Sequence, residues 1–108
     1  MAVPRLKPGD TALLIVDMQQ KLVPAMEAPE ALTGQVGRRI DGAQALSLPT
    51  LVTEQYPRGL GHTMPAIAER LSDANTRVEK TCFSACIDPI KDALDALNVH
   101  CVAVAGIV

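Results

Sequence analysis

Three ionisable side chains stand where apolar segments of this sequence end. Asp17 follows the run TALLIV, Glu54 closes the segment PTLVTE, and Lys80 closes the shorter segment RVEK. A carboxylate beside an ammonium is suited to proton transfer, because the positive charge keeps the acid ionised and can stabilise a developing oxyanion. An ionisable group at the end of a buried strand must be solvated, paired or functional. The three groups therefore indicate one candidate catalytic crevice.

Two of these residues also have ordinary structural interpretations. Asp17 precedes the polar pair Gln19 and Gln20, and its carboxylate is equally suited to capping the next segment or accepting hydrogen bonds from loop amides. A single lysine at a strand end, such as Lys80, is more often a surface residue whose stem lies along apolar neighbours. The spacing does not bring Asp17 and Lys80 together, so both alternatives stay open at this point.

The elements that must position these side chains alternate between strand and helix. Short apolar segments, or segments placed between two helices, predict four strands at 11–17, 49–54, 77–80 and 100–105. Apolar residues at helical spacing predict three surface helices. They are Val36, Ile40, Ala43 and Leu46 in the first, Met64, Ile67, Ala68 and Leu71 in the second, and Ile87, Ile90, Leu94 and Leu97 in the third.

Proline and glycine predict loops at 22–32 and 55–61 between these elements. Strands that alternate with helices predict right-handed crossovers and a three-layer, Rossmann-like α/β fold, in which helices cover both faces of a parallel sheet. Ligands bind such sheets outside the C-terminal ends of the strands. Asp17, Glu54 and Lys80 lie at those ends.

Composition excludes several classes of protein. A chain of 108 residues with 48% hydrophobic residues and a net charge of -2 fits one globular domain. Its basic residues are scattered, which argues against nucleic acid and anionic membranes as partners. The segment Met1 to Asp10 is polar and unlike a signal peptide, and the apolar runs are shorter than the ~20 residues that cross a bilayer. We expect a soluble, cytoplasmic protein.

The cysteines and histidines do not predict a metal centre. Cys82, Cys86 and Cys101 form no CxxC pair, so we expect three reduced thiols in the core. Glu54 and His62 are too few ligands for a metal ion. We therefore predict no metal ion. Gly59 and Gly61 lack the Lys-Ser/Thr of a phosphate-binding loop.

Four segments resemble the signatures of isochorismatase-like cysteine hydrolases, in the same order and at similar spacing. They are ALLIVDMQ at 12–19, LVTEQYPRGLG at 51–61, EKTCFSA at 79–85 and VAVAGI at 102–107. Together they span nearly the whole chain. The second string is the most distinctive and resembles the small isochorismatase-domain proteins in particular.

The resemblance implies a chemistry. In that family a cysteine thiolate attacks an amide, ester or related carbon of a small molecule without a cofactor, an aspartate takes the thiol proton, and a lysine supports the charge. The matching positions are Asp17 and Lys80. Gln19, Tyr56 and Phe83 lie in the same signatures and are expected to line the substrate pocket, with hydrogen bonding or core packing as the alternative for each.

The resemblance also implies that the nucleophile lies beyond this chain. The family's cysteine begins the helix after the fourth strand, where amide dipoles favour thiolate, and the sequence ends at Val108, before that position. Cys101 is expected at the opposite end of the sheet, and Cys82, two residues after Lys80, is the least unsuitable substitute.

The expectation is therefore one incomplete hydrolase domain at 1–108, inactive alone, whose small-molecule substrate binds once a C-terminal half completes it. Two alternatives remain. One is an interaction module whose bare fourth strand pairs with another chain, which agrees with an expected homo-oligomer. The other is a truncated reading of a longer gene.

Overall fold

Four parallel strands form one sheet in the computed structural model, which describes residues 7–72 and 75–107. The strands are β1 (Thr11–Val16), β2 (Thr50–Gln55), β3 (Thr76–Lys80) and β4 (Cys101–Gly106), and they pair in the order β3-β2-β1-β4. All three pairings are parallel. Residues 1–6 of the polar N-terminal segment and Val108, where the sequence ends, lie outside the described residues.

Helices lie against both faces of the sheet, as the strand and helix alternation predicts. The helices are α1 (Pro29–Ala45), α2 (Pro57–Leu60), α3 (Pro65–Ala68) and α4 (Asp88–Leu97). Leu13 and Ile15 of β1 pack on the side of α1 and α3, and their neighbours Leu14 and Val16 pack on the side of α4. This alternation makes β1 a central strand that is buried on both faces. The α/β fold class is confirmed.

Prolines begin helices where the sequence predicts loops. Pro29 is the first residue of α1, so the last four residues of the expected loop 22–32 are helical. Pro57 likewise begins α2, within the expected loop 55–61. The first residue of a helix has no intrahelical partner for its N–H, and the fixed φ of proline suits that position. The predicted helix face of α1 is correct for Ile40 and Ala43, which are buried, but wrong for Leu46, which follows the last turn and is exposed.

The cysteines depart from the expected burial. Cys82 and Cys86 are exposed and Cys101 is half-buried. The first two lie in the irregular segment 81–87 between β3 and α4, which lies outside the sheet and forms no strand. Cys101 pairs with Thr11 at the start of β1, and so lies at the opposite end of the sheet from Asp17, as expected.

The face of β4 on the side of α4 is open in the described structure. Ala103 and Ala105 pack against the α1 side, but the alternate residues Val102 and Val104 are 38% and 51% exposed. None of the described helices combines the length and the apolar character that a membrane crossing requires.

Candidate active site at the C-terminal ends of the strands

Asp17 and Lys80 meet in the interior of the protein. Asp17 directly follows β1, and Lys80 is the last residue of β3, two strands away. The lysine side chain spans the end of β2 and brings Nζ to 2.7 Å from Asp17 Oδ2. The side chains of the lysine and the aspartate are 0% and 4% exposed. Of the three strand-end groups, these two form the expected acid and ammonium pair.

Every N–H of the Lys80 ammonium has an acceptor. Besides Asp17, Nζ donates to the carbonyl oxygens of Cys82 at 2.8 Å and of Phe83 at 2.9 Å. An ammonium has three donors, so the set is complete. In this arrangement Lys80 contributes positive charge beside Asp17 and holds the segment after β3, and a substrate oxygen would have to displace a carbonyl to reach Nζ.

Asp17 is held from β2 as well as from β3. Its φ of 53° lies in the left-handed region, which aspartate tolerates better than most residues. Its N–H donates to Thr53 O at 3.2 Å, and Oδ1 accepts a hydrogen bond of 2.8 Å from the Thr53 hydroxyl. Each carboxylate oxygen therefore has one partner and keeps acceptor capacity for a further proton.

Thr53 is a site residue that the strand-end argument did not select. It is buried in β2, directly after Leu51 and Val52 and directly before Glu54. A buried hydroxyl needs a hydrogen-bond partner, and that requirement is the only signal in the sequence for its role.

Gln19 ties the loop after β1 to the loop after β2. Its side chain is fully buried, and Nε2 donates to Gln55 O at 2.8 Å and to Gly61 O at 2.7 Å. Its Oε1 accepts a hydrogen bond of 2.7 Å from the N–H of Gln55. Both amide donors are used by the backbone, so the geometry favours the hydrogen-bonding alternative over contact with a substrate.

Tyr56 and Phe83 face different surfaces. Tyr56 is exposed, has a left-handed φ of 39°, and lines a cavity of about 460 Å³. The other lining residues are Pro57, Arg58, His62, Glu79, Lys80 and Thr81. Phe83 is 88% exposed and borders a separate apolar groove of about 580 Å³ beside β4. The structure does not bring the two aromatic residues into one pocket.

The 460 Å³ cavity adjoins the buried pair without opening onto its charged atoms. The N–H of Tyr56 donates to Lys80 O at 2.9 Å, which places the cavity against the backbone of the lysine. The Lys80 side chain itself is fully buried. The ammonium is therefore separated from the cavity in the described structure.

Glu54 belongs to a neighbouring cluster. Its Oε2 accepts hydrogen bonds from the N–H and the hydroxyl of Thr63 at 2.6 and 2.7 Å, and Oε1 lies 3.2 Å from His62 Nδ1. Burial opposes ionisation of the carboxyl, but the bonds from Thr63 and His62 outweigh it and hold the pKa of Glu54 below its ordinary value. Within 7–72 and 75–107, no group of three His, Cys, Asp or Glu side chains is arranged to hold a metal ion.

The end of β4 lies directly beside the end of β1, with Gly106 opposite Val16. Ile107 N–H donates to Val16 O at 2.9 Å, and Gly106 has a φ of 116°. A Cβ on this glycine would lie 2.4 Å from Val16 O. Because Asp17 follows Val16, the backbone that leaves β4 lies beside the candidate acid.

Comparison with known proteins decides the family. The isochorismatase domain matches residues 11–108. The chain belongs to the isochorismatase family. Isochorismatase domain-containing protein 2 of Bos taurus is 35% identical over 95 residues, which are 88% of this chain and 44% of that relative. The chain thus spans about half the length of the curated relatives it matches.

Solved structures of other proteins share this fold. A structure described as MAR1 ribonuclease from Caenorhabditis elegans is 40% identical, with a TM-score of 0.88 over 95% of this chain and 53% of that one. YcaC from Pseudomonas aeruginosa, solved with hexane-2,5-diol and covalent acrylamide, is 25% identical, with a TM-score of 0.87 over 100% of this chain and 55% of that one. The four-stranded parallel sheet flanked by helices is therefore an isochorismatase fold.

Proposed function

We propose that this chain supplies the acid/base and the lysine of a cofactor-independent cysteine hydrolase that acts on a small amide or ester. The observation that carries the proposal is the buried contact of 2.7 Å between Asp17 and Lys80 at the C-terminal end of the sheet. A buried ion pair is weak evidence for stability alone, since apolar residues of similar volume often do as well. Placed where α/β sheets bind ligands, it fits a catalytic role better.

The proposed reaction uses Asp17 twice. The carboxylate takes the proton of a thiol, the thiolate attacks the substrate carbonyl carbon, and the bond to the leaving nitrogen or oxygen breaks as Asp17 returns the proton to that atom. Water then attacks the thioester and gives a proton to Asp17, the carbon–sulfur bond breaks, and the acid product leaves. Asp17 returns its proton to the sulfur, which regenerates the thiol and the carboxylate. Lys80 places a positive charge 2.7 Å from the carboxylate of Asp17.

The thiol is proposed to come from residues that follow β4. The backbone at Gly106 and Ile107 lies beside Val16, the residue before Asp17, and this placement supports a thiol from a later segment. Cys82 is a poorer candidate, because its exposed thiol contacts Ser84 O at 3.6 Å, whereas the carboxylate of Asp17 is buried.

Hydrolysis assays test the proposal. The 108-residue chain and the protein with all residues that its gene encodes after Val108 are compared on p-nitrophenyl acetate, small primary amides and an RNA oligonucleotide. RNA is included because of the description of the C. elegans relative. We expect ester or amide hydrolysis by the longer protein and none by the 108-residue chain.

Variants of the longer protein assign the roles. Asp17→Asn and Lys80→Met are expected to lower kcat/KM by about 10²- to 10⁴-fold, the usual contribution of a general acid–base. Asp92→Asn and Lys91→Met, on the exposed face of α4, are matched controls that should leave the rate unchanged. Full activity of a folded Asp17→Asn protein, or turnover of RNA alone, would contradict the proposal.

A binding module is the second candidate, favoured by the open face of β4. Val102, Val104 and Phe83 expose apolar surface on one side of the described structure. Apolar patches of this kind mark surfaces that contact other chains, including a second copy of the same chain. A 108-residue chain that is a defined oligomer by light scattering, with no hydrolysis by the longer protein, would favour this function.

A further inference from the structure

Thr53 is bonded to Asp17 through both its side chain and its backbone. The hydroxyl donates to Asp17 Oδ1 at 2.8 Å, and the threonine carbonyl accepts from the Asp17 N–H at 3.2 Å. Thr53 is fully buried. The contact lies inside the protein, where water does not compete for the carboxylate.

The two anchors of the carboxylate come from different strands. Lys80 at the end of β3 holds Oδ2, and Thr53 in β2 holds Oδ1. With one anchor, a carboxylate can still rotate about its remaining contact. With two anchors on opposite oxygens, both side-chain torsions of Asp17 are restrained, and a proton-accepting lone pair keeps one direction.

We propose that Thr53 is a positioning residue. Its hydroxyl orients the carboxylate of Asp17, the proposed catalytic acid, and does not touch the substrate. The inference rests on the proposed function for its consequence in catalysis. Its structural part concerns the orientation of Asp17 and is measurable whether or not the protein is a hydrolase.

Thr50 is a matched control on the same strand. It is buried like Thr53, but its hydroxyl has no hydrogen-bond partner among residues 7–72 and 75–107. The same Thr→Val change at the two positions therefore removes a hydroxyl bonded to Asp17 in one case and an unbonded hydroxyl in the other.

The first experiment follows the ¹³Cγ resonance of Asp17 by NMR in the 108-residue chain, with the resonance assigned by its loss in Asp17→Asn. Thr53→Val keeps the shape and loses the hydroxyl, and we expect it to shift or broaden the signal. Thr53→Ser keeps the hydroxyl and loses a methyl group, and the signal should stay near the wild-type position, as it should in Thr50→Val.

The second experiment measures kcat and KM of the longer protein. Thr53→Val should lower kcat by about 10- to 100-fold with little change in KM, since a small misplacement of a catalytic group has a cost of this order. Thr53→Ser should retain most of the rate. If Thr53 only fills space, the opposite ranking of kcat is expected, with the isosteric Thr53→Val active and the smaller Thr53→Ser impaired.

The outcomes separate the two proposals. A ¹³Cγ signal that moves in Thr53→Ser and not in Thr53→Val overturns the positioning role, and so does unchanged kcat in an active Thr53→Val enzyme. An inactive wild-type longer protein contradicts the hydrolase proposal, while the NMR comparison still decides the orientation of Asp17. If Thr53→Val does not fold, the difference between Thr53→Ala and Thr53→Ser isolates the hydroxyl in the same way.

Discussion

At the scale of single residues, the buried pair of Asp17 and Lys80 dominates the site. Both charged side chains are buried, and their charged atoms lie 2.7 Å apart. Removing one partner of such a pair leaves an uncompensated buried charge, whereas removing both leaves none. The pair is therefore expected to behave as one unit in stability as well as in catalysis.

We predict that substitutions of Asp17 and Lys80 have non-additive effects on the free energy of unfolding. Asp17→Asn or Lys80→Met should each lower the free energy of unfolding by about 3–5 kcal/mol, and the double variant should lose less than the sum of the two. Urea unfolding followed by circular dichroism measures the three values. Additive losses would mean that the two side chains do not interact in solution.

Glu54 predicts a separate dependence of stability on pH. Thr63 and His62 hold its folded pKa below the ordinary value of 4.5. As the pH falls, the carboxylate of Glu54 therefore takes up a proton in the unfolded chain before it does so in the folded protein. Its contribution to the free energy of unfolding is full above pH 4.5 and is lost as the pH falls through the folded pKa.

Comparison of Glu54→Gln with the wild-type protein measures this effect. The difference in free energy of unfolding should be largest near neutral pH and shrink in acid. Glu69→Gln, at an exposed position, should show no such trend. An equal difference at pH 7 and pH 3 would exclude the carboxylate hydrogen bonds as the source.

At the scale of elements, the close approach of β4 to β1 at their C-terminal ends depends on one glycine. Gly106 combines a φ of 116° with a carbonyl of Val16 at the position where a Cβ would lie. Both features exclude a side chain, one through backbone strain and the other through contact with main-chain atoms that have little room to move.

Two glycine substitutions should have opposite effects. Gly106→Ala is expected to lower the free energy of unfolding by about 1–3 kcal/mol, the usual cost of a strained backbone conformation. Gly42→Ala, in α1 with nothing within 4 Å of the new Cβ, should raise it by about 0.5–1 kcal/mol. Thermal unfolding of the two proteins gives the comparison. A neutral Gly106→Ala would mean that the end of β4 lies away from β1.

At the scale of the whole molecule, the two faces of the sheet are unequally covered. On the face under α1 and α3, the packed core extends to Ala103 and Ala105 of β4. On the other face, the packed core extends only as far as the residues under α4. Val102, Val104 and Phe83 border the resulting apolar groove. This open face is the largest departure from the expected helical layers in the described residues.

The open face should bind an apolar dye. We expect the folded 108-residue chain to enhance 1-anilinonaphthalene-8-sulfonate fluorescence and to self-associate as its concentration rises. The double variant Val102→Thr and Val104→Thr keeps β-branched residues and should lower both signals. Leu46→Gln, at an exposed leucine after α1, is the control for a general loss of apolar surface. Equal effects of the control and the double variant would contradict a specific patch.

The sequence by itself determined the α/β fold, because apolar runs without alternation mark strands buried on both faces and helical spacing marks the layers above them. It also indicated Asp17 and Lys80, since ionisable groups at strand ends need a partner. Helix starts at Pro29 and Pro57 were missed, because proline marks a loop and a first helical turn equally well.

Only the tertiary structure decided which strand ends meet. It brought Lys80 to Asp17 across β2, turned Glu54 toward Thr63, and closed the amide of Gln19 on the backbone. These contacts join residues that lie eight or more positions apart in the chain. Their distances depend on strand order, register and side-chain torsions, none of which a linear pattern of residue types specifies.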